Sequence, residues 1–305
     1  MSSPPRKPRP SLPEGPYLVV GLARSGQAAA RLLAARGAEV RAVDSGFPEG
    51  AERLPEVGVE VFLDTDGLAQ LEGTRTVVKS PGVPREAPVI ATALARGIEV
   101  LGELELAWRA IPNRFLAVTG TNGKTTTVEL LGHIYSGAGE PVAVAGNVGT
   151  PLSSLAGEIE PDATVVCEAS SFQLEDTGYF APECGVFLNL APDHLDRHVD
   201  LESYLAAKLR IFANQGNDDV AVYNADDPAL TGVDLGGCAR RIAFSQQLPS
   251  ADRDRGESDR DAPTAGLGPL DDVAVSRHGG TIFYDGEPFL RVEELGLFGE
   301  HNVAN

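Results

Sequence analysis

The chain has 305 residues, of which 42% are hydrophobic and 23% are charged, and its formal net charge is −19. This length exceeds what one ordinary hydrophobic core supports, so two domains are predicted. An excess of 44 acidic over 25 basic residues repels nucleic acids and anionic lipids, and we predict no nucleic-acid partner. Because no apolar run approaches the ~20 residues that span a bilayer, we expect a cytoplasmic protein without membrane insertion.

The N-terminal part of the chain alternates apolar strands with helices. Residues 1–16 are proline-rich and lack an apolar segment, which predicts a disordered tail. The alternation over residues 17–112 predicts a Rossmann-like doubly wound parallel sheet of class α/β. The predicted strands are 17–22, 39–44, 75–83 and 98–102. One predicted helix ends near Arg36, and two others span 86–96 and 103–111. The dipeptide Pro112-Asn113 is the predicted domain boundary.

Residues 113–305 repeat the strand–helix alternation and predict a second α/β domain of the P-loop NTPase type. The predicted strands are 115–120, 141–147, 164–170, 184–190 and 219–227, and the predicted helices are 125–137 and 200–213. An acidic segment, 246–272, predicts a mobile loop. Residues 273–290 predict a β-hairpin that turns at 278–280.

The segment FLAVTGTNGKTTT, residues 115–127, predicts a phosphate-binding loop. A strand that leads through glycines into a helix gathers backbone N–H groups at the positive end of the helix dipole, where anions bind. Lys124 then neutralises phosphate charge, and the Thr125 hydroxyl offers a ligand to Mg²⁺. The pattern is a shortened form of the usual motif, since Val118 stands where its first glycine belongs. A glycine-rich turn that binds nothing is the alternative.

Three further positions carry candidate chemistry. Glu168 ends an apolar strand and suits the metal-holding carboxylate that a P-loop requires, although a surface glutamate at a strand end is an alternative. The segment NLAPDHLDRH (189–198) follows another strand, so His194 is a metal or phosphate ligand or part of a solvated turn. Lys208 lies in the apolar stripe of helix 200–213. It is therefore either a buried amine of depressed pKa or a lysine that reaches out to solvent.

Five segments together resemble the Mur ligases of peptidoglycan synthesis: GTNGKT, EASSFQLE, NLAPDHLDRH, AAKLRIF and GEHNVAN. SSFQLE (170–175), with GLARSG, KSPG and LGELEL nearer the N-terminus, resembles the D-glutamate-adding members. The resemblance implies an ATP-dependent, ADP-forming amide-bond ligase. Its substrates are UDP-N-acetylmuramoyl-L-alanine, ATP and D-glutamate, and it works through an acyl phosphate.

The resemblance also implies roles for single residues. Lys124, Glu168, His194 and Lys208 are the implied catalytic residues. Two Mg²⁺ ions are held by Thr125, Glu168, His194 and Lys208, the last as a carbamate made from CO₂. ATP is bound by Gly120, Thr121, Asn122, Gly123, Lys124, Thr125, Thr126 and Asn302. The UDP-sugar is bound by Arg24, Ser25, Gly26, Asp44, Ser80, Gly82, Asn147 and Ser170. Lys79 of KSPG is a further candidate for that pocket.

Members of the family continue after the HN motif into a third domain that carries most of the D-glutamate site. We therefore expect this chain to be a truncated, monomeric form that lacks the C-terminal ligase domain and is inactive or weakly active alone. Three alternatives remain. One is another Mur ligase or a folylpolyglutamate-type ligase. Another is a nicotinamide-dependent dehydrogenase, because GLARSG with Asp44 approximates a dinucleotide motif in which Ala23 replaces the second glycine. A non-enzymatic UDP-sugar-binding module is the third.

Overall fold

A computed structural model describes residues 7–193, 197–246, 273–278, 280–284 and 287–291. The chain divides into two compact units. The first comprises Met1–Phe115 and Leu131–Phe180, and the second comprises Leu116–Leu130 and Ala181–Asn305. His194, Asp196, Asn302 and, apart from Gln246, the predicted acidic loop lie outside the described residues.

The described elements follow the predicted alternation of strands and helices. The helices are α1 (Arg24–Ala35), α2 (Pro88–Ala95), α3 (Glu103–Ala110), α4 (Lys124–Gly137), α5 (Ser171–Glu175) and α6 (Leu201–Ala213). The strands are β1 (Tyr17–Val20), β2 (Val40–Val43), β3 (Glu60–Phe62), β4 (Thr76–Lys79), β5 (Glu99–Gly102), β6 (Phe115–Thr119), β7 (Val142–Gly146), β8 (Thr164–Glu168), β9 (Cys184–Phe187), β10 (Val220–Asn224), β11 (Arg240–Ser245), β12 (Val273–His278), β13 (Thr281–Tyr284) and β14 (Glu287–Arg291). Short 3₁₀ helices cover Ala51–Val57, Ala69–Leu71 and Leu152–Leu155. None of the helices in the described ranges is long and apolar enough to span a bilayer.

The first unit contains a parallel sheet of order β3-β2-β1-β4-β5. Successive residues of β1 point to opposite faces, so that Val19 belongs to one buried apolar cluster and Leu18 and Val20 to another. Apolar packing on both faces is characteristic of a doubly wound sheet. This confirms the predicted Rossmann-like fold. The strand order reverses between β1 and β4, which is where such sheets bind ligands.

The turn from β1 into α1 requires glycine at two positions. Gly21 has φ +86°, a conformation that side chains disfavour. A Cβ added to Gly26 would lie 1.8 Å from the Gly21 carbonyl oxygen, so α1 approaches the turn closely only because Gly26 has no side chain. These two residues fix where α1 begins beside the sheet edge.

The first unit also contains the parallel pair β7–β8, in which Val142 pairs with Thr164 and Gly146 with Glu168. Gly146 has φ +131°, and a Cβ there would lie 2.2 Å from the Glu168 carbonyl oxygen. Glycine therefore allows the two strand ends to approach. As a result, Asn147 and Glu168 leave their strands side by side.

The second unit carries strands in the order β14-β13-β12-β11-β10-β9-β6. The pairs from β6 to β12 are parallel, and the pairs β12–β13 and β13–β14 are antiparallel. The predicted hairpin after residue 273 is confirmed. Strand β6 leads directly into the predicted phosphate loop and α4, as a P-loop fold requires.

The expectation of a disordered tail is wrong for residues 7–16, which make specific contacts within the first unit. The Arg9 guanidinium donates to the carbonyl oxygens of Trp108, Ile111 and Asn113. It also lies over the Trp108 and Phe115 rings, 4.8 and 4.9 Å from their centroids. Composition alone misses this anchor because one arginine satisfies three carbonyls near the end of α3.

Candidate functional site

The predicted phosphate loop is shaped by two glycines between β6 and α4. Gly120 has φ +150° and Gly123 has φ +82°. A Cβ on Gly120 would lie 3.1 Å from the Leu188 Cβ and 3.3 Å from the Asn189 backbone nitrogen. The loop therefore packs closely against the residues that follow β9, and α4 begins at Lys124.

Asn189 holds this loop in place, a role that the sequence pattern did not reveal. Its backbone oxygen accepts from the Thr121 N–H at 2.9 Å. Its side-chain oxygen accepts from the Asn122 N–H at 2.9 Å, and its amide nitrogen donates to the Asn122 oxygen at 3.1 Å. Such reciprocal bonds fix a loop conformation before any ligand binds.

Two lysine side chains meet at one carbonyl of the loop. Lys124 Nζ donates to the oxygens of Gly120 and Thr121 at 3.1 and 2.9 Å. Lys208 Nζ, on α6, donates to the same Gly120 oxygen at 2.7 Å. The structure thus brings Lys124 and Lys208 together at the loop that the sequence assigned to phosphate.

Lys208 is a buried amine and does not reach out to solvent, because only 1% of it is exposed. Its pKa falls from 10.5 to about 7, mainly because of burial and also because of the positive charge of Lys124, against a smaller opposing effect of Asp193. Its neighbours on α6, Tyr204 and Ile211, are buried too, whereas Leu201 of the predicted stripe is exposed. Near neutral pH a large fraction of Lys208 is therefore neutral and nucleophilic.

Tyr204 connects Lys208 with the loop. Its ring centroid lies 4.5 Å from Lys208 Nζ, and its hydroxyl lies 3.4 Å from Thr121 Oγ1. The same Thr121 hydroxyl donates to the Ala191 oxygen at 3.1 Å. The sequence pattern identified Tyr204 only as an apolar residue, since its polar contact is with a residue 83 positions away.

Glu168 belongs to the first unit and lies at the end of β8 with 2% exposure. Its Oε1 accepts from the Asn147 side-chain amide at 3.0 Å, and its backbone oxygen accepts from the Asn147 N–H at 2.9 Å. A surface glutamate is thereby excluded. The arrangement orients one buried carboxylate beside a residue assigned to the UDP-sugar.

The first unit contains a cavity of about 350 Å³ at the switch point of its sheet. Six of the eight residues assigned to the UDP-sugar line it: Arg24, Ser25, Asp44, Ser80, Gly82 and Asn147. Gln173 also lines it and was missed, because its position on the short helix α5 has no pattern of its own. The Asp44 oxygens accept from the N–H groups of Leu22 and Gly46, which fixes the carboxylate at the cavity wall.

The other two residues assigned to the UDP-sugar, Gly26 and Ser170, shape the local backbone and do not line the cavity. Gly26 allows the close approach of α1 to its preceding turn. Ser170 caps α5, where its hydroxyl accepts from the Gln173 N–H at 3.3 Å and donates to the Gln173 side chain at 3.0 Å. Lys79, the further candidate, is buried and pairs with Asp176 at 2.7 Å, so it does not line the cavity.

Models of protein families match most of the chain. The Mur ligase middle domain matches residues 118–305, and the Mur ligase MurD-like N-terminal domain matches residues 16–102. The first of these alone covers more than half of the sequence. The chain belongs to the Mur ligase family.

Relatives within the Mur ligase family share its sequence closely. A UDP-N-acetylmuramoylalanine–D-glutamate ligase of Pelotomaculum thermopropionicum is 41% identical over 94% of this chain and 60% of its own length. The enzyme of the same name from Geobacter metallireducens is 40% identical over 94% and 61%. The chain thus spans about 60% of the length of these curated relatives.

Solved structures of Mur ligases have the same fold. A UDP-N-acetylmuramate:L-alanyl-γ-D-glutamyl-meso-diaminopimelate ligase from Neisseria meningitides aligns with a TM-score of 0.59 at 19% identity, covering 96% of this chain and 90% of that one. UDP-N-acetylmuramate-alanine ligase from Thermotoga maritima gives 0.53 at 20% identity, covering 95% and 63%. At this identity the likeness establishes the fold alone.

Two of the side chains that the sequence assigns to Mg²⁺ each carry donor atoms that suit this ion. Thr125 and Glu168 offer oxygen atoms, the donors that Mg²⁺ prefers. Among the described residues, no three His, Cys, Asp or Glu side chains group closely enough to hold a metal ion.

Proposed function

We propose that the chain carries the ATP-binding and UDP-sugar-binding parts of an ADP-forming ligase that adds D-glutamate to UDP-N-acetylmuramoyl-L-alanine. One observation carries the proposal most directly: the amines of Lys124 and Lys208 meet at the Gly120 carbonyl of a preformed phosphate loop. The sequence similarity to D-glutamate ligases supports the choice of substrate.

ATP binds along the loop of residues 120–126. Backbone N–H groups at the start of α4 face the phosphates. Lys124 moves from the loop carbonyls to the phosphate oxygens, because its ammonium group forms stronger hydrogen bonds with a charged acceptor. Thr121, Asn122, Thr125 and Thr126 complete the loop, and we assign contact with adenine to Asn302, which is outside the described residues. Asn189 keeps the loop in shape while Lys124 exchanges partners.

Lys208 acts after modification by CO₂. Its neutral amine attacks the carbon of CO₂, an N–C bond forms, and one proton leaves to solvent, which gives a carbamate of charge −1. The carbamate nitrogen keeps one N–H, so the bond to the Gly120 oxygen survives the reaction. Thr125, Glu168, His194 and this carbamate are the ligands we assign to two Mg²⁺ ions, which screen negative charge on phosphate and carboxylate when bound.

The UDP-sugar occupies the cavity of the first unit, with its diphosphate near Arg24 and Ser25 and its uracil near Asp44. Asn147 and Gln173 contact the muramoyl-alanine end. In the reaction, a carboxylate oxygen of L-alanine bonds to the γ-phosphorus as the bond to ADP breaks. The D-glutamate amine then attacks the acyl carbon, loses a proton and displaces phosphate. Lys124 stabilises the charge that develops during the first step.

Ligand-dependent melting of this chain tests the proposal. UDP-N-acetylmuramoyl-L-alanine at about 100 times its Kd should stabilise the fold by about 2.7 kcal/mol, and UDP-N-acetylmuramate should stabilise it less. Arg24→Ala should reduce the shift, and Arg53→Ala, at an exposed arginine outside the cavity, should not. Stabilisation by NAD without any effect of the UDP-sugar would contradict the proposal and favour the dehydrogenase alternative.

Three attributes accompany the proposed function. They are a monomeric state, a cytoplasmic location and a division of the sequence into a UDP-substrate domain (17–112) and an ATP domain (113–305). Residues 131–180 of this ATP domain belong to the first compact unit and supply Asn147 and Gln173 to the cavity.

A further inference from the structure

A groove of about 540 Å³ lies in the first unit where α4 ends and β7 begins. Its walls combine two chemistries. Val142, Leu155 and Ile159 supply a partly exposed apolar floor, and Glu140, Glu158 and Glu160 supply an exposed acidic rim. The groove is separate from the UDP-sugar cavity, because it lies at the start of β7 whereas Asn147 follows the end of that strand.

Hydrogen bonds from Asn113 hold the segment that carries Glu160 of the rim. Asn113, which is 3% exposed, donates through its side-chain amide to the oxygens of Glu160, Pro161 and Ala163 at 2.8, 3.1 and 2.8 Å. The segment that carries part of the rim is therefore fixed from beneath. A preformed surface loses less conformational entropy when it binds a partner.

The electrostatics of the groove select a positive occupant. Within the described ranges, no basic residue lines it. Ser136 and Gly139 line it at the C-terminal end of α4, where the helix dipole adds negative partial charge to that of the rim. Among the residues that the structure describes, no cluster suited to a metal ion includes these carboxylates, so a divalent cation is disfavoured.

We propose that this groove docks a basic peptide segment of a partner protein, in which aliphatic side chains alternate with lysine or arginine. The aliphatic side chains cover Val142, Leu155 and Ile159, and the basic side chains pair with the three rim glutamates. Charge complementarity with an apolar centre is the pattern of a specific interface. The interaction goes beyond the ligase reaction and does not depend on it.

Binding of a fluorescein-labelled peptide of alternating lysine and leucine tests the proposal. The double variant Glu158→Lys/Glu160→Lys should weaken binding by roughly tenfold or more, since both charges at the rim reverse sign. The matched control Glu52→Lys/Glu56→Lys makes the same charge change at exposed residues of another surface, and should leave the affinity within about twofold. Ile159→Ser should also weaken binding, because the apolar floor contributes. The far-UV circular dichroism spectrum should be the same in all variants, which shows that they fold.

Three outcomes would overturn the proposal. The first is equal loss of affinity in the two double variants, which would mean that the peptide senses only the net charge of −19. The second is equal affinity for a peptide of alternating lysine and serine, which would remove the apolar contribution. The third is unchanged affinity in Glu158→Lys/Glu160→Lys, which would mean that the rim glutamates make no contact with the peptide.

Discussion

Lys208 is the residue whose chemistry depends most on its surroundings. Burial favours its neutral form, and so does the positive charge of Lys124. The Gly120 oxygen and the Tyr204 ring, by contrast, both interact well with an ammonium group. Since burial is the largest effect, the pKa falls to about 7. The site therefore combines a reactive amine with neighbours that keep it oriented.

The carbamate that we propose on Lys208 depends on that pKa. With ¹³C-bicarbonate, carbon NMR should show a carbamate signal that grows as the pH rises from about 6 to 8, because the neutral fraction of the amine grows. Lys124→Gln should weaken the signal near pH 7, since removal of the Lys124 charge raises the pKa of Lys208. The same signal in Lys208→Met would contradict the assignment.

The depressed pKa also has a consequence for stability. Between about pH 7 and 10.5 the unfolded chain binds a proton at Lys208 that the folded chain does not, so the free energy of unfolding rises with pH over this range. In CO₂-free buffer, the stability gained by Lys208→Met should therefore be larger at about pH 6 than at pH 9. Urea unfolding at both pH values measures the difference. A gain that does not change with pH would mean that Lys208 titrates normally in the folded state.

Lys124 is expected to matter for ATP more than for the fold. It is only partly buried, and it bonds to carbonyls of its own loop. Charge-assisted hydrogen bonds contribute about 1.5–3 kcal/mol, so Lys124→Ala should weaken ATP binding roughly 10- to 100-fold. Calorimetry measures this, and Lys7→Ala is the control lysine. Equal weakening in both variants would indicate only a general charge effect.

At the scale of elements, a buried carboxylate ties α3 to the segment after α5. Glu105 accepts from the N–H groups of Gly178, Tyr179 and Phe180 at 2.9 to 3.2 Å. It also accepts from Arg109 Nε at 2.7 Å. A fully buried carboxylate persists only when it is paired in this way. The contact holds α3 beside the segment that follows α5, the helix that carries Gln173.

Glu105→Gln should destabilise the protein by about 3–5 kcal/mol, because it removes the charge that pairs with the buried Arg109. Glu99→Gln is the matched control. Glu99 is 48% exposed and lies 3.6 Å from the same arginine, so its loss should cost below about 1 kcal/mol. Trp108, the single tryptophan, lies on α3 and reports unfolding by fluorescence. Similar costs for the two variants would show that the negative charge of Glu105 contributes little to stability.

The sequence predicted the elements that carry a strong apolar pattern. Strands such as β1 and β8 are buried apolar runs, and their ends were predicted to within a few residues. Strand β3, with three residues, and helix α5, with five, were missed because neither is long enough to show a period. Strand β11 begins with two exposed arginines that hide its pattern.

The site was predicted where a residue belongs to a motif and missed where its role depends on a distant contact. Lys124 and Lys208 were found from their local surroundings in the sequence. Asn189 was not, because its bonds to Asn122 join positions 67 residues apart. Gln173 was missed for a similar reason, since it reaches the cavity only through the folding of the first unit.

At the scale of the whole molecule, the phosphate loop is locally positive although the chain as a whole is negative. The chain has net charge −19 and only four lysines, yet two of them meet at the phosphate loop. An anionic ligand is therefore repelled by most of the surface and attracted by the two lysines at the loop. Salt screens the repulsion from distant charges more than the attraction at short range. Local placement of cations, and not the overall charge, determines where such ligands bind.

The two sites also belong to different compact units, which predicts separate patterns of ligand protection. The residues that line the UDP-sugar cavity all lie in Met1–Phe115 and Leu131–Phe180, whereas Lys124 and Lys208 lie in the second unit. In hydrogen exchange, UDP-N-acetylmuramoyl-L-alanine alone should slow exchange around residues 21–26 and 80–83. A non-hydrolysable ATP analogue with Mg²⁺ should slow it around 119–127. Because a ligand protects the amides that it contacts or orders, the two sets should overlap little. If the UDP-sugar alone protected 119–127 as strongly as the ATP analogue does, the assignment of one ligand to each unit would be wrong.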